Sequence, residues 1–239
     1  MPRTIVITGG GTGIGRAAAA RFAADGDRVT ILGRRGDVLA KTADELGVTA
    51  LTCDVSDPDA LTGALADLPV DIDVLVNNAG GNTDFDNPDA HDLRQLAANW
   101  RANLCSNVLT AVLTTTALRD RLRAGGAVIG VGSIAAEKGA GAYGAAKAAL
   151  AAWNIDLAGT LGPRDITANV VSCGYIADTE FFRDFLTDER RGTLVAQTAV
   201  RRAGDPADVA GVIAFLASAD ARHLTGQVLN VNGGAWTTR

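Results

Sequence analysis

Thr4-Ile5-Val6-Ile7-Thr8-Gly9-Gly10-Gly11-Thr12-Gly13-Ile14-Gly15 decides how this chain is read. Five consecutive β-branched residues, apolar on both faces, read as a strand covered on both sides. The glycines that follow permit positive φ and let the backbone approach a ligand closely. The alanine-rich stretch Gly13–Ala24 then continues with a helical pattern. A glycine-rich turn at a helix N-terminus is suited to a pyrophosphate, because free N–H groups and the helix dipole both favour negative charge. The spacing Gly9-x3-Gly13-x-Gly15 is wider than the common GxGxxG. Its weight comes from its place between a strand and a helix.

Working outward, short β-branched runs alternate with longer Ala/Leu-rich stretches to the end of the chain. The expected strands are Thr4–Thr8, Arg28–Leu32, Val48–Cys53, Ile72–Asn77, Ala127–Gly132, Thr167–Ser172 and Val228–Val231. Helical patterns fall at Gly13–Ala24, Asp37–Leu46, Asp57–Leu68, Asp92–Arg123, Ala142–Leu161 and Pro206–Ser218. This order predicts an α/β fold: one doubly wound, Rossmann-type parallel sheet of seven strands with helices on both faces. No repeat, linker or composition shift divides residues 1–239, so one domain is expected. Two segments depart from the alternation. Asn82–Pro88 is polar and turn-rich and reads as a rim loop. Gly174–Gly204 carries Phe181, Phe182, Phe185, Leu186, Leu194 and Val195, a pattern for two short amphipathic helices. Its position after a strand's carboxyl end suits a substrate lid; a core-covering helical pair is the alternative.

Composition excludes several classes. The 239 residues are 47% hydrophobic, enough to build a core, and the net charge of -5 leaves no footprint for nucleic acid. Cys53, Cys105 and Cys173 are widely spaced, and His91 and His223 stand alone. Neither a disulfide framework nor a metal site reads from them, and a reducing compartment fits. No signal peptide or membrane span reads from the chain, so a cytoplasmic protein is expected. Among 22 basic residues only Lys41, Lys138 and Lys147 are lysines, and Tyr143 and Tyr175 are the only tyrosines.

The second strand ends in Gly33-Arg34-Arg35. An acidic residue there would bond a ribose 2′-hydroxyl, whereas two guanidinium groups suit a 2′-phosphate. NADP(H) is therefore favoured, with Arg34 as the main contact and Arg35 supporting; NAD(H) stays open. Asp54 and Val55 follow the third strand, where an adenine would lie, and Asn77-Asn78-Ala79-Gly80 ends the fourth. Ser133 follows a buried strand, and Tyr143 and Lys147 lie at i and i+4 on one face of an alanine-rich helix. A phenol near pKa 10 is a poor acid/base at neutral pH. An ammonium about 5 Å away at an effective dielectric near 20 is worth roughly 3 kcal/mol, enough to lower that pKa by about 2.

Taken in order, TGGGTGIG, NNAG, Asn103 in WRANLCSN, Ser133 and Tyr143-x3-Lys147 resemble the short-chain dehydrogenase/reductase family. Arg202-Ala-Gly-Asp-Pro206 and Leu224–Gly234 extend the resemblance over essentially the whole chain, closest to the 3-oxoacyl-[acyl-carrier-protein] reductase-like members. The resemblance implies that Tyr143 donates a proton to a carbonyl oxygen while the nicotinamide delivers hydride. Lys147 would hold the nicotinamide ribose and depress the Tyr143 pKa, Ser133 would orient the substrate, and Asn103 would hold a relay water. Gly9, Thr12, Gly13, Ile14 and Gly15 would shape the pyrophosphate turn. Asp54, Val55, Asn77, Ala79 and Gly80 would line the adenine side and cofactor cleft, with Gly174, Ile176 and Thr179 contributing from beyond the sixth strand. A homotetramer is implied as well, consistent with a Tyr143 helix that is apolar nearly all round.

Two departures stand out. Ser133 and Tyr143 are only ten positions apart, which trims the Ala135–Ala142 loop, and Cys173-Gly174 replaces the family's Pro-Gly. The function expected is NADPH-dependent reduction of a ketone, with a carrier-bound 3-oxoacyl thioester among the candidate substrates. A dehydrogenase of a sugar, polyol or polyketide-like alcohol and a non-catalytic cofactor-binding regulator remain open. Arg119, Arg121 and Arg123 read either as a contact for an acidic carrier or as cations at a helix C-terminus.

Overall fold

Strand β1 (Thr4–Thr8) is buried throughout, and its side chains alternate between two apolar clusters, as the pleat requires. Ile5 and Ile7 face one cluster, Val6 the other. The computed structural model describes residues 1–86 and 92–238. Around β1 lie β2 (Arg28–Gly33), β3 (Thr49–Thr52), β4 (Ile72–Asn77), β5 (Leu122–Ser133), β6 (Thr167–Cys173) and β7 (Val228–Val231). All pairings are parallel, in the order β3-β2-β1-β4-β5-β6-β7. The strand order reverses between β1 and β4, the switch point where open α/β sheets bind ligands.

Helices α1 (Gly13–Ala24) and α2 (Gly36–Leu46) follow β1 and β2. Phe22 of α1 and Leu39 of α2 bury in the cluster on the Ile5 face, together with Val209 and Ile213 of a helix over Pro206–Leu216. The Val6 face is covered by α3 (Pro58–Ala64), by α5 (Thr110–Leu118) beyond α4 (Leu93–Leu104), and by the long α7 (Gly141–Leu161), which follows the single turn α6 (Ala135–Lys138). Leu61, Leu118 and Leu161 anchor them there. Helix α8 (Asp188–Ala196) belongs to the segment after β6, and α9 is the Pro206–Leu216 helix. Asp205 caps α9 by a capping box, with Pro206 opening its first turn.

Several expected boundaries move. The single helix expected over Asp92–Arg123 is α4 and α5 joined by a π-helical turn, Cys105–Leu109, and followed by a 3-10 turn at Arg119–Arg121. One extra residue in the turn leaves the apolar pattern readable on both sides, so periodicity does not reveal it. The helix expected around Phe181–Leu186 is only a 3-10 turn, Arg183–Phe185, because those phenylalanines gather on one point of the cleft instead of along a helix face. The Asn82–Pro88 loop holds a 3-10 turn at Thr83–Asp86; Pro88 and His91 lie outside the described residues. Arg121 donates to the carbonyls of Leu65, Leu68 and Pro69, where the chain leaves α3. It is a cation at a helix C-terminus, though of a different helix from its own. Arg123 lies beside Asp71 and Asp73.

Candidate active site

The parallel register brings the carboxyl ends of β1, β4, β5 and β6 side by side, with Thr8 opposite Asn77 and Ser133 opposite Cys173. The turn after β1 is shaped by contacts that only glycine allows. Gly9 has φ of 67°, and a Cβ on it would lie 2.8 Å from the Asn78 amide nitrogen. A Cβ on Gly15 would lie 2.2 Å from the Gly9 carbonyl oxygen. Asn78 ties this turn to the end of β4: its Nδ2 donates to the carbonyls of Thr8 (3.1 Å) and Gly9 (3.0 Å). The Thr8 hydroxyl accepts from the backbone N–H groups of Asn78 and Ala79.

These elements open onto a cleft of about 1420 Å³, above the roughly 300–1,000 Å³ of an ordinary small-molecule pocket. The structure brings Gly9, Thr12, Gly13, Ile14, Arg34, Arg35, Asp54, Val55, Ala79 and Gly80 to its wall. Ser133, Tyr143, Lys147, Gly174, Ile176 and Thr179 join them. At the adenine end the Asp54 carboxylate accepts from the Ser56 N–H (3.0 Å) and hydroxyl (2.6 Å), which holds its pKa below the ordinary value. Arg34 has no ion-pair partner among the described residues. A glycine-lined turn at a helix N-terminus and a cleft of this volume fit a dinucleotide.

Three expected residues lie elsewhere. Gly15 sits beneath the turn as a packing position and does not line the cleft. Asn77 turns away: its Nδ2 donates to the Thr115 hydroxyl of α5 at 2.8 Å, and Asn78 takes the place at the cleft. Asn103 is fully buried, but its amide donates to Asp84 (2.8 Å) and to the Asn99 carbonyl while accepting from the Thr83 N–H. Its side-chain contacts run to the rim loop, while its backbone carbonyl accepts from Asn107 Nδ2 at 3.0 Å. One turn on, inside the π-helical segment, Asn107 grips Gly81 from both sides: Oδ1 accepts from the Gly81 N–H at 3.1 Å and Nδ2 donates to its carbonyl at 2.8 Å. The asparagine that fixes the cofactor-side loop is therefore Asn107. No signal in the sequence separates two asparagines four positions apart; the irregular turn does.

Tyr143 and Lys147 occupy one face of α7, both buried, with the Lys147 nitrogen 5.7 Å from the centre of the Tyr143 ring. Lys147 donates to the Val131 carbonyl at 2.8 Å. Burial pushes Lys147 down to about 8. It raises Tyr143 well above its ordinary value, opposed in part by hydrogen bonding with Ser133. The shift that burial produces at Tyr143 thus runs opposite to the lowering expected from Lys147. Desolvation disfavours the charged form of each group and is the largest cause of both shifts. A phenol kept protonated is the form that gives a proton away. Cys173 is buried beside them, and burial pushes its thiol up to about 12, so it behaves as a small hydrophobe.

Beyond Tyr143 the wall is aromatic. Phe181 packs 5.3 Å from the Tyr143 ring, Phe182 4.9 Å from Phe181, and Phe85 stacks on Phe185 at 5.3 Å. The segment after β6 thus meets the rim loop through phenylalanines and an Arg183–Asp86 ion pair. This closure was legible only as a row of phenylalanines without a partner. Among the described residues no group of His, Cys, Asp or Glu is arranged to hold a metal ion, and no helix is long and apolar enough to cross a membrane.

A family model described as enoyl-(acyl carrier protein) reductase matches residues 9–236. A Mycobacterium tuberculosis (strain H37Rv) protein, named no further than an oxidoreductase, is 38% identical over 234 residues that span 97% of each chain. The crystal structure of a blue fluorescent protein from a metagenomic library, in complex with NADPH, has a TM-score of 0.84 at 32% identity and covers 98% of both chains. That of a Brucella melitensis 3-oxoacyl-[acyl-carrier protein] reductase with bound NAD has a TM-score of 0.86 at 31% identity, covering 99% of this chain and 92% of the other. With a half-buried Ser133 and buried Tyr143 and Lys147 lining one cleft, the chain belongs to the short-chain dehydrogenase/reductase family of oxidoreductases.

Proposed function

We propose that this enzyme reduces an apolar ketone to a secondary alcohol, with NADPH as the preferred donor and Tyr143 as general acid. The observation that carries the reading is the buried Tyr143 phenol, which lines the cleft together with Ser133 and Lys147. When bound, the nicotinamide supplies the hydride. Ser133 holds and orients the carbonyl oxygen, and Tyr143 gives that oxygen its phenolic proton. The phenolate left behind lies on the same helix face as Lys147, whose ammonium stabilises it and holds the cofactor ribose. Asn107 fixes Gly81 against the cleft, a positioning role separate from the relay expected of Asn103.

The preference for NADPH rests on Arg34 and Arg35 and on the lack of an acidic residue at the end of β2. Neighbouring structures hold NADPH or NAD, so the neighbours do not choose between them. The aromatic wall of Phe85, Phe181 and Phe182 supports an apolar ketone over a sugar or polyol. A 3-oxoacyl thioester is the second reading, supported by the likeness to 3-oxoacyl-[acyl-carrier protein] reductases.

We read residues 1–239 as one domain with residues 174–204 as its substrate lid. Leu93, Leu96, Trp100 and Leu104 of α4 and Ile155 of α7 present apolar surface, which supports assembly as a homotetramer. Three free cysteines suit a cytoplasmic location. The test is a panel of apolar ketones, 3-oxoacyl thioesters and polyols assayed with NADPH and NADH, with Tyr143→Phe as control. Turnover of apolar ketones with NADPH, lost in the variant, is the expected result. Polyol oxidation as the principal activity would overturn it.

A further inference from the structure

The guanidinium of Arg35 already holds an anion. Its Nη1 and Nη2 donate to the two carboxylate oxygens of Glu180, at 3.3 and 2.6 Å, the two-pronged geometry a phosphate would use. Glu180 belongs to the segment after β6, and its carboxylate also accepts from the Thr12 hydroxyl in the glycine-rich turn, at 3.5 Å. Its neighbour Thr179 lies against the same turn: a Cβ on Gly13 would sit 3.4 Å from the Thr179 methyl. The lid is therefore pinned on both banks of the cleft, to Arg35 on one side and through Arg183 to Asp86 on the other.

We propose that Glu180 tunes the cofactor discrimination of this enzyme: its carboxylate competes with the 2′-phosphate of a phosphorylated dinucleotide for Arg35. The inference rests on the reading that Arg34 and Arg35 receive that phosphate. A dinucleotide bearing a free 2′-hydroxyl leaves the Arg35–Glu180 pair intact and enters under a pinned lid. A 2′-phosphorylated one brings a dianion to a fork already occupied, and Glu180 has to withdraw. Arg34, without an ion-pair partner among the described residues, meets the phosphate first. The chain thus carries two arginines for phosphate while releasing one of them only in exchange for a lid contact. Both partners of the Arg35–Glu180 pair are more than half exposed, so the competition is a modest one that tunes selectivity without deciding it alone.

The experiment is direct titration of NADPH and NADH, followed by cofactor fluorescence, against the parent, Glu180→Gln, Arg35→Ala, Arg34→Ala and the Glu180→Gln/Arg35→Ala pair. Glu180→Gln is expected to tighten NADPH by about 3- to 10-fold and to change NADH by less than about 2-fold. In the Arg35→Ala background the same substitution is expected to leave the NADPH-to-NADH ratio unchanged. Glu180→Ala, which removes the residual amide hydrogen bond, should match or exceed the gain. The inference is overturned if Glu180→Gln leaves the ratio where it was or lowers it while the arginine variants weaken NADPH. If Arg34→Ala and Arg35→Ala themselves leave the ratio untouched, the phosphate reading fails and the role of Glu180 falls with it.

Discussion

Replacing Lys147 with methionine should make the protein more stable near neutral pH, and the gain should disappear as the pH rises. The ammonium is buried, and the cost of keeping it charged shows in a pKa pushed from 10.5 down to about 8. At about 1.4 kcal/mol for each step of one in pKa, that cost is about 3 kcal/mol at pH 7. Methionine forfeits the hydrogen bond to the Val131 carbonyl, worth about 1 kcal/mol, and fills nearly the same volume. The net gain is about 2 kcal/mol.

The sign of its pH dependence follows from linkage. The folded pKa lies below the unfolded one, so between about 8 and 10.5 the unfolded chain binds more protons, and raising the pH through that window restores stability to the parent. Burial raises the pKa of Tyr143 and of Cys173, so both make stability fall as the pH rises, and the informative quantity is the difference between variant and parent, both of which retain these groups. Urea denaturation of both proteins at pH 7, 8.5 and 10 measures it. A variant less stable than the parent at pH 7, by an amount indifferent to pH, would refute the claim that Lys147 is held charged at a desolvation cost. The parent keeps a destabilising residue where its chemistry is needed, the usual trade between stability and activity.

Tyr143→Phe should fold normally and lose turnover by about 100- to 10,000-fold, measured as kcat by NADPH oxidation. Gly15→Ala puts a methyl 2.2 Å from the Gly9 carbonyl oxygen, backbone that cannot yield. A loss of about 1–3 kcal/mol in urea denaturation and markedly weaker NADPH binding by fluorescence titration are expected. Asn107→Ala removes both bonds to Gly81 and should lower kcat/KM by more than Asn103→Ala does; the reverse order in steady-state kinetics would overturn the positioning role of Asn107.

The sheet was legible because parallel strands covered on both faces are written as short β-branched runs, and β1, β4 and β7 fall where those runs begin and end. Gly9, Arg34, Ser133, Tyr143 and Lys147 could be placed at one cleft because a strand's carboxyl end is a fixed address in such a fold. What could not be read was direction at a given address. Asn77 and Asn78 are adjacent, yet the pleat sends one to Thr115 and the other to the glycine turn. Asn103 and Asn107 differ only by the turn in which one extra residue is accommodated. The pKa shifts of the Tyr–Lys pair come mainly from burial, which spacing alone does not measure. Glu180 meets Arg35 across 145 positions of sequence, a pairing made by the path of the lid rather than by any local pattern.

The side-by-side arrangement of Thr8, Asn77, Ser133 and Cys173 also ties ligand binding to the completeness of folding. These residues are spread over positions 8 to 173 and become neighbours only when β1, β4, β5 and β6 have all docked, so no half-built sheet owns a complete cleft. A dinucleotide that binds the cleft selects the finished molecule from every earlier form and stabilises it in proportion to the logarithm of its concentration. In a cell replete with cofactor, the molecule this enzyme consumes would also act as the ligand that keeps its chain folded.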